Sequence, residues 1–429
     1  MATTSSNPQT VERAADFVNG AGVNIHLGQP GYSATAIIAD MAYLGLNNVR
    51  TQAMGQQSPL ASVYGKLASA GLKFDWLAGG QLTPTLSALD SFLAAHPGAI
   101  KAIEGPNEVD NFPIAYGGLT GTAAALAYQQ ALYAAVKTDP LTSAIPVLDF
   151  TDSTLQPTAA ADAANLHPYA KSGGQPSIQL TAAETAAARL MPGAPIYVTE
   201  AGYFNLPGSY RGWEGVDSTT QAKMTLNLLM DAASTGVSET YLYDLVDDGV
   251  DASNTFGPDH FGLFTYSGQA KPVATAIHNL TTILADPGAN AAAFTPTQLG
   301  YTIKGLTVGS SFLIEKSSGV YDLVIWAEPP IWTTKTHSGI VANAESVTVT
   351  FASAATQYSV FDPLKSAKAI ATGAHAASVK ISVTDHPLII QVSGFAQAMA
   401  SFASPAGAGP VGASLIAPPA TPTLVTPKS

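Results

Sequence analysis

The stretch "IKAIEGPNEVDN", residues 100–111, is a short apolar run that breaks at a Gly-Pro step and leaves Asn107 and Glu108 just beyond it. A second stretch, "IYVTEAGYF" at 196–204, repeats the arrangement with Glu200. Short apolar runs bounded by Gly and Pro read as buried strands. Only 11% of the residues are charged. Carboxylates at the ends of buried strands are expensive unless they are paired or used.

Working outward from these two, the same unit recurs. Strands are expected at 22–27 ("GVNIHL"), 47–52 ("NNVRTQ"), 73–79 ("KFDWLAG"), 100–106 ("IKAIEGP"), 145–151 ("IPVLDFT"), 163–169 ("AANLHPY"), 195–201 ("PIYVTEA") and 239–245 ("ETYLYDL"). Ala- and Leu-rich stretches with helical spacing lie between them, such as "ATAIIADMAYLGL" and "TLSALDSFLAAH", and "KPVATAIHNLTTILA" follows the last strand. Alternation of strand and helix implies parallel strands with right-handed crossovers. Eight such units predict a closed (β/α)8 TIM barrel over 15–290. A doubly wound open sheet is the alternative, and the polar residues at strand C-terminal ends favour the barrel.

From about residue 296 the period becomes two, in "SFLIEK", "VYDLVIWAE", "SVTVTF", "SVKISVTD" and "PLIIQVSG". This predicts a C-terminal antiparallel β-sandwich over 296–394. Residues 1–14 read as an N-terminal extension, and the Ala/Pro/Gly-rich 395–429 as a tail or linker.

Composition narrows the function. The net charge is −12 and no basic run occurs, which argues against nucleic acid as a partner. No apolar run is long enough to span a bilayer. With no Cys in 429 residues, thiolate chemistry and Cys-bound metals are excluded. "GAGPVG" in the tail follows no parallel strand, so its dinucleotide-type spacing is empty. Walker A, H-E-x-x-H and G-x-S-x-G patterns are absent, and the eight His residues show no ligand spacing. The expectation is no cofactor and no catalytic metal. "MATTSSNPQT" shows no signal-peptide pattern. An extracellular location stays an expectation.

Cleaving a glycosidic bond needs one carboxylic acid to protonate the leaving oxygen and one carboxylate on the anomeric carbon. Glu108 and Glu200, ending the fourth and seventh strands, would face each other across a barrel mouth. At this point the chain resembles glycoside hydrolase clan A, the retaining (β/α)8 glycosidases, over roughly residues 15 to 290. The resemblance rests on Asn107-Glu108, on His167 and Tyr169 in "LHPY", on Glu200 in "VTE", on Arg50 in "NNVRTQ", and on "FGLFTYSGQAKPVATAIHNL" as the closing segment. It implies Glu108 as acid/base and Glu200 as nucleophile, acting on a polysaccharide or oligosaccharide. The clan's Trp after strand eight is replaced here by Tyr243 in "TYLYDL".

Each supporting residue has a plain reading beside the functional one. Asn107 is a turn former or a partner for a sugar 2-hydroxyl. Arg50 supports Glu200 or a deeper network with Glu104. His167 is a core histidine or a site residue, and Tyr169 orients Glu200. Tyr243 or Trp213 would floor the sugar, and His26 would line the mouth. Trp76 and Trp326 read as core, and Asp247, Asp248 and Asp251 as a solvated loop. The pK of Glu108 is expected to be raised by neighbouring negative charge. A carbohydrate-binding barrel without turnover, and a transglycosylase using the same residues, are the competing functions.

Overall fold

The structure, a computed structural model, describes residues 11–29, 32–53, 60–153 and 160–395. The segment read as a tail lies outside the described residues apart from Phe395. Eight parallel strands are β1 (Ala21–Asn24), β2 (Asn48–Gln52), β3 (Lys73–Leu77), β4 (Ile100–Glu104), β5 (Val147–Leu148), β6 (Ala164–Leu166), β7 (Ile196–Ala201) and β8 (Glu239–Leu242). Their spatial order is β5-β4-β3-β2-β1-β8-β7-β6. A parallel bridge from Leu148 to Ala163 joins the two ends, so the sheet closes into the expected TIM barrel.

The strands look apolar because their outward faces are. Val23, Val49, Phe74 and Val198 pack under the helices, while Asn24, Arg50, Asp75, Glu104 and Asn165 alternate inward and are buried. The helices are α1 (Ala34–Leu44), α2 (Ala61–Ser69), α3 (Leu82–Ala95), α4 (Gly121–Thr138), α5 (Pro176–Leu190), α6 (Ser218–Thr235) and α7 (Pro272–Leu284). Ser33 caps α1 by accepting from the Ala36 amide at 3.2 Å, and Asp217 caps α6 by accepting from the Thr220 amide at 2.7 Å. Between β5 and β6 the described residues contain no helix.

The C-terminal strands are β9 (Tyr301–Lys304), β10 (Gly309–Glu315), β11 (Tyr321–Ala327), β12 (Glu345–Asp362), β13 (Ser366–Val383) and β14 (Leu388–Ser393). The expected β-domain is present, but its hydrogen bonding is that of one continuous sheet rather than two separate antiparallel ones. The reason is the pair β12 and β13, 18 residues each. β12 carries β9 and then β14 along one edge and β13 along the other, with its register shifting between Thr350 and Ala355. The sheet is also mixed: Val11–Arg13, within the segment read as an extension, pairs parallel with β10.

Alternation assigns the two faces. Phe312, Ile314, Val324, Trp326 and Ile389 join the core of the barrel helices. Leu313, Leu323, Ile325 and Ile390 close a second core with Val347, Val349 and Ile381. The described residues up to Phe395 therefore form one compact unit. Trp326 is fully buried and donates to Asp231 of α6 at 2.9 Å. Trp76 is buried as well.

Asp231 shares a hydrogen bond with Glu328 just past β11, which requires one of the two carboxyls to hold a proton. Burial, followed by the charge of Glu328, pushes Asp231 up to about 9. Its unfolded value is the ordinary 3.8. Folding thus takes up a proton between these values, and stability falls as pH rises through that window. Asp231→Asn keeps both hydrogen bonds without a titrating proton. Its melting temperature is expected to exceed that of the parent at pH 8, with the gap closing toward pH 4. Equal melting temperatures across that range would show that the pair does not titrate.

Candidate active site

Arg50 lies at the centre of the barrel, fully surrounded by carboxylates and amides. Its Nε and Nη2 donate to Glu104, the latter at 3.0 Å. Nη1 donates to Asn24 at 2.9 Å and to Glu200 at 2.5 Å, and Nη2 also reaches Asn107 at 2.8 Å. Burial would lower the guanidinium, but Glu104 and Glu200 more than offset this and hold it well above its ordinary value. Beside it, burial and then the charge of Glu104 push Asp75 of β3 up from its ordinary value.

Glu200 receives a second hydrogen bond, from Tyr169 at 2.9 Å. It sits on a local irregularity of β7, whose register with β8 shifts between Val198 and Ala201. Consecutive strand residues ordinarily face opposite ways; a bulge lets both turn inward. Thr199 accordingly donates to Asn165 at 2.5 Å and meets His167 Nε2 at 3.0 Å, while Glu200 meets Arg50.

Glu108 is placed differently from the sequence expectation. β4 stops at Glu104, and Glu108 lies four residues further on with φ of 41°, in the left-handed region. The loop is pinned to the end of β5. The Glu108 amide donates to the Thr151 hydroxyl at 2.7 Å, the Val109 amide to the Thr151 carbonyl at 3.0 Å, and the Thr151 amide to the Pro106 carbonyl at 3.0 Å. Gly105 permits this course, because a Cβ there would meet Gln129 Oε1 at 1.8 Å. The side chain is 25% exposed and receives Asn111 at 3.0 Å and His167 Nδ1 at 3.0 Å.

The electrostatics of Glu108 correct a second expectation. Burial raises it, but the hydrogen bond and charge of His167, with Asn111 and Arg50, outweigh burial and hold it below its ordinary value. The sequence reading counted neighbouring carboxylates and missed an imidazole brought in from β6.

The remaining residues converge on one cleft of about 1490 Å³ at the C-terminal end of the barrel. Asn107, His167, Tyr169, Tyr243, Trp213 and His26 all line it with Glu108 and Glu200. Tyr169 has Trp213 at 5.1 Å and Tyr243 at 6.3 Å between ring centres. His26 packs on Tyr243 at 5.5 Å and lies 3.4 Å from Asp244. Sequence reasoning missed Asn24, Asn165, Thr199 and Asn111. Asn165 was within reach, since it lies two residues before His167 and alternation puts both inside.

Carboxylate and imidazole atoms of Glu108, His167 and Glu200 lie within 4.8 Å of one another, a spacing a metal ion would accept. The donor set argues otherwise: Glu200 is bonded to Arg50 and Tyr169, and Glu108 to His167 and Asn111. A divalent cation would have to displace these bonds next to a guanidinium. His26, Asp244 and Asp248 form a similar group, but Asp244 receives Tyr32 and shares a hydrogen bond with Asp248. In the loop after β8, Asp247 pairs with Lys271 at 2.5 Å, and Asp251 accepts the amides of Ser253, Thr255 and Phe256. These oxygens are used internally. Turnover is expected to be unchanged after exhaustive EDTA dialysis; loss of rate restored by one metal ion would reveal a bound cation.

No protein-family model matches the chain, and no curated protein matches it. Among solved structures it is similar to a glycoside hydrolase family 17 beta-1,3-glucanosyltransferase from Rhizomucor miehei, at 14% identity and TM-score 0.47, over 60% of this chain and 97% of that one. It is also similar to a beta-glucuronidase from Bacteroides uniformis, at 11% identity and TM-score 0.44, over 87% of this chain and 45% of that one. A beta-glucuronidase from Ruminococcus gnavus gives 15% identity and TM-score 0.45, over 66% of this chain and 52% of that one.

Proposed function

We propose that the chain is a retaining glycoside hydrolase acting on an oligosaccharide or polysaccharide, with Glu200 as nucleophile and Glu108 as acid/base. The observation that carries this is the spacing of the two carboxylates, whose nearest oxygens lie within 4.8 Å across the cleft. Retention needs carboxyl groups about 5–5.5 Å apart, whereas inversion needs about 6.5–9.5 Å to admit a water. Glu200, charged and oriented by Arg50 and Tyr169, attacks the anomeric carbon as the bond to the leaving oxygen breaks. Glu108 delivers its proton to that oxygen. It then takes a proton from water, whose oxygen displaces Glu200 from the glycosyl-enzyme. Asn107, held by Arg50, lies in the cleft beside both groups.

Testing this begins with a screen of bacterial and plant polysaccharides, with products sized and their first-formed anomer read by NMR. Retained configuration is expected; an inverted first product would overturn the reading. Product sizing also tells water from a sugar acceptor.

The His167–Glu108 contact gives a further expected result. An acid held below its ordinary value is protonated only at low pH, so the alkaline limb of kcat/KM should fall below neutrality. His167→Gln removes the charge and the Nδ1 hydrogen bond that hold Glu108 down. Its alkaline limb should move to higher pH, whatever happens to the absolute rate. An unmoved limb would mean that His167 does not govern the acid.

A further inference from the structure

The wall of the cleft after β6 and β7 carries two cations with no acidic partner. Lys171 follows Tyr169 in the loop after β6, and its ammonium sits over the Trp213 ring, 4.9 Å from the centroid. Arg211 stands with its guanidinium over the Tyr210 ring at 5.4 Å. Both side chains are exposed and line the cleft, and neither forms an ion pair among the described residues.

The backbone holds them there at a cost. Gly208–Tyr210 and Trp213–Gly215 form a hairpin joined by Arg211 and Gly212. Both joining residues are left-handed, with φ of 49° and 85°. That turn favours Asn, Asp or Gly at its first position, and an Arg there is strained. The hairpin is also clamped. The Glu214 amide donates to the Lys171 carbonyl at 2.6 Å. The buried Glu214 carboxylate accepts from Trp332 at 2.9 Å and meets His337 at 2.7 Å, both from the segment after β11. The carboxylate nearest in sequence to Arg211 is thus committed elsewhere. Tyr169 links the wall to the chemistry, with its ring 5.1 Å from Trp213 and its hydroxyl on Glu200 at 2.9 Å.

We infer that Lys171 and Arg211 form an anion-binding subsite, so the substrate is a glycan whose sugar next to the cleavage point carries a carboxylate or a sulfate ester. This rests on the glycosidase reading for its catalytic half. Two cations on aromatic faces receive a charged substituent while the rings receive the sugar's apolar face. Asp110 and Asp152 also line the cleft and would repel the same group, which directs the anion to the β6–β7 side.

The test is binding to the full chain, measured by calorimetry with three oligosaccharides of equal length: a uronic-acid oligomer, a sulfated galactan oligomer and a neutral glucan oligomer. One anionic oligomer should bind at least about tenfold tighter than the neutral one, the scale of one charge-assisted hydrogen bond. Its affinity should fall as salt is raised. The uronate and sulfate arms identify which anion the subsite takes. The double variant Lys171→Gln/Arg211→Gln should lose this preference with an unchanged melting temperature, and Lys171→Arg/Arg211→Lys should keep it. Equal affinity for the neutral oligomer, no binding of either anionic one, or an unaltered preference in the Gln variant overturns the inference. Retaining hydrolysis of a neutral glycan alone would leave the catalytic reading standing and this one fallen. Anion-selective binding without turnover of any glycan would do the reverse.

Discussion

Glu200→Ala is expected to lower turnover on any glycan substrate by roughly 10⁴ or more, the scale seen when a covalent nucleophile is removed. No glycosyl-enzyme can form without it. Its oxygens are held by Arg50 and Tyr169, and no other carboxylate among the described residues shares both partners. Added azide should enter the vacated space and give a glycosyl azide of inverted configuration. Glu108→Ala should fail differently. With an activated aryl leaving group little protonation is needed, so the first step survives and hydrolysis of the intermediate becomes slow. Azide needs no base and should there give the retained product. Opposite stereochemistry from the two variants is a sharper readout than loss of rate, because misfolding cannot imitate it. Wild-type rates in both variants on a proven substrate would remove both assignments.

How much of this could be read beforehand follows from what each feature depends on. The barrel was legible because its strands carry apolar outward faces and its helices are Ala-rich, both local properties of sequence. The pairing of Arg50 with Glu104 was half legible, as one option for a buried arginine among buried carboxylates. What stayed hidden depends on backbone irregularity. With Val198 outward, alternation turns Thr199 inward and would turn Glu200 out; the shift in β7 brings Glu200 inward beside it. Glu108 takes a left-handed backbone conformation beyond the end of β4, so strand alternation cannot say which way its side chain points. Long-range contacts were hidden too: nothing near residue 108 announces that His167, 59 positions away, will hold its carboxylate. The same holds for Trp332 and His337, which come from the C-terminal domain to clamp the hairpin of Trp213. The C-terminal domain was legible as strands but not in its pairing: "FASAATQYSV" contains no Pro or Gly to end a strand, so β12 runs on through both halves.

Arg50→Met is expected to cost about 3–5 kcal/mol of stability, the usual penalty for leaving a buried charge without its partner. Arg50 is the only Lys or Arg paired with Glu104 and Glu200 among the described residues. In the variant, folding with both glutamates ionised is prohibitive, and one of them must take up a proton. Stability should then fall as pH rises through the carboxylate range, most steeply where the unfolded chain has released that proton. A second substitution separates stability from chemistry. Arg50→Met/Glu104→Gln removes one cation and one anion together, leaving an amide that still bonds Asn165. Most of the lost stability should return, since replacing a buried pair is far cheaper than breaking it. Activity should not return, because Glu200 still lacks its guanidinium. Arg50→Lys lies between the two: a single ammonium cannot reach Glu104, Asn24, Asn107 and Glu200 at once, as the planar fork does. It should keep more stability than Arg50→Met while losing kcat, as the nucleophile loses its fixed orientation. An Arg50→Met protein with the parent's melting curve and rate would mean that the network fills the barrel without setting its charge.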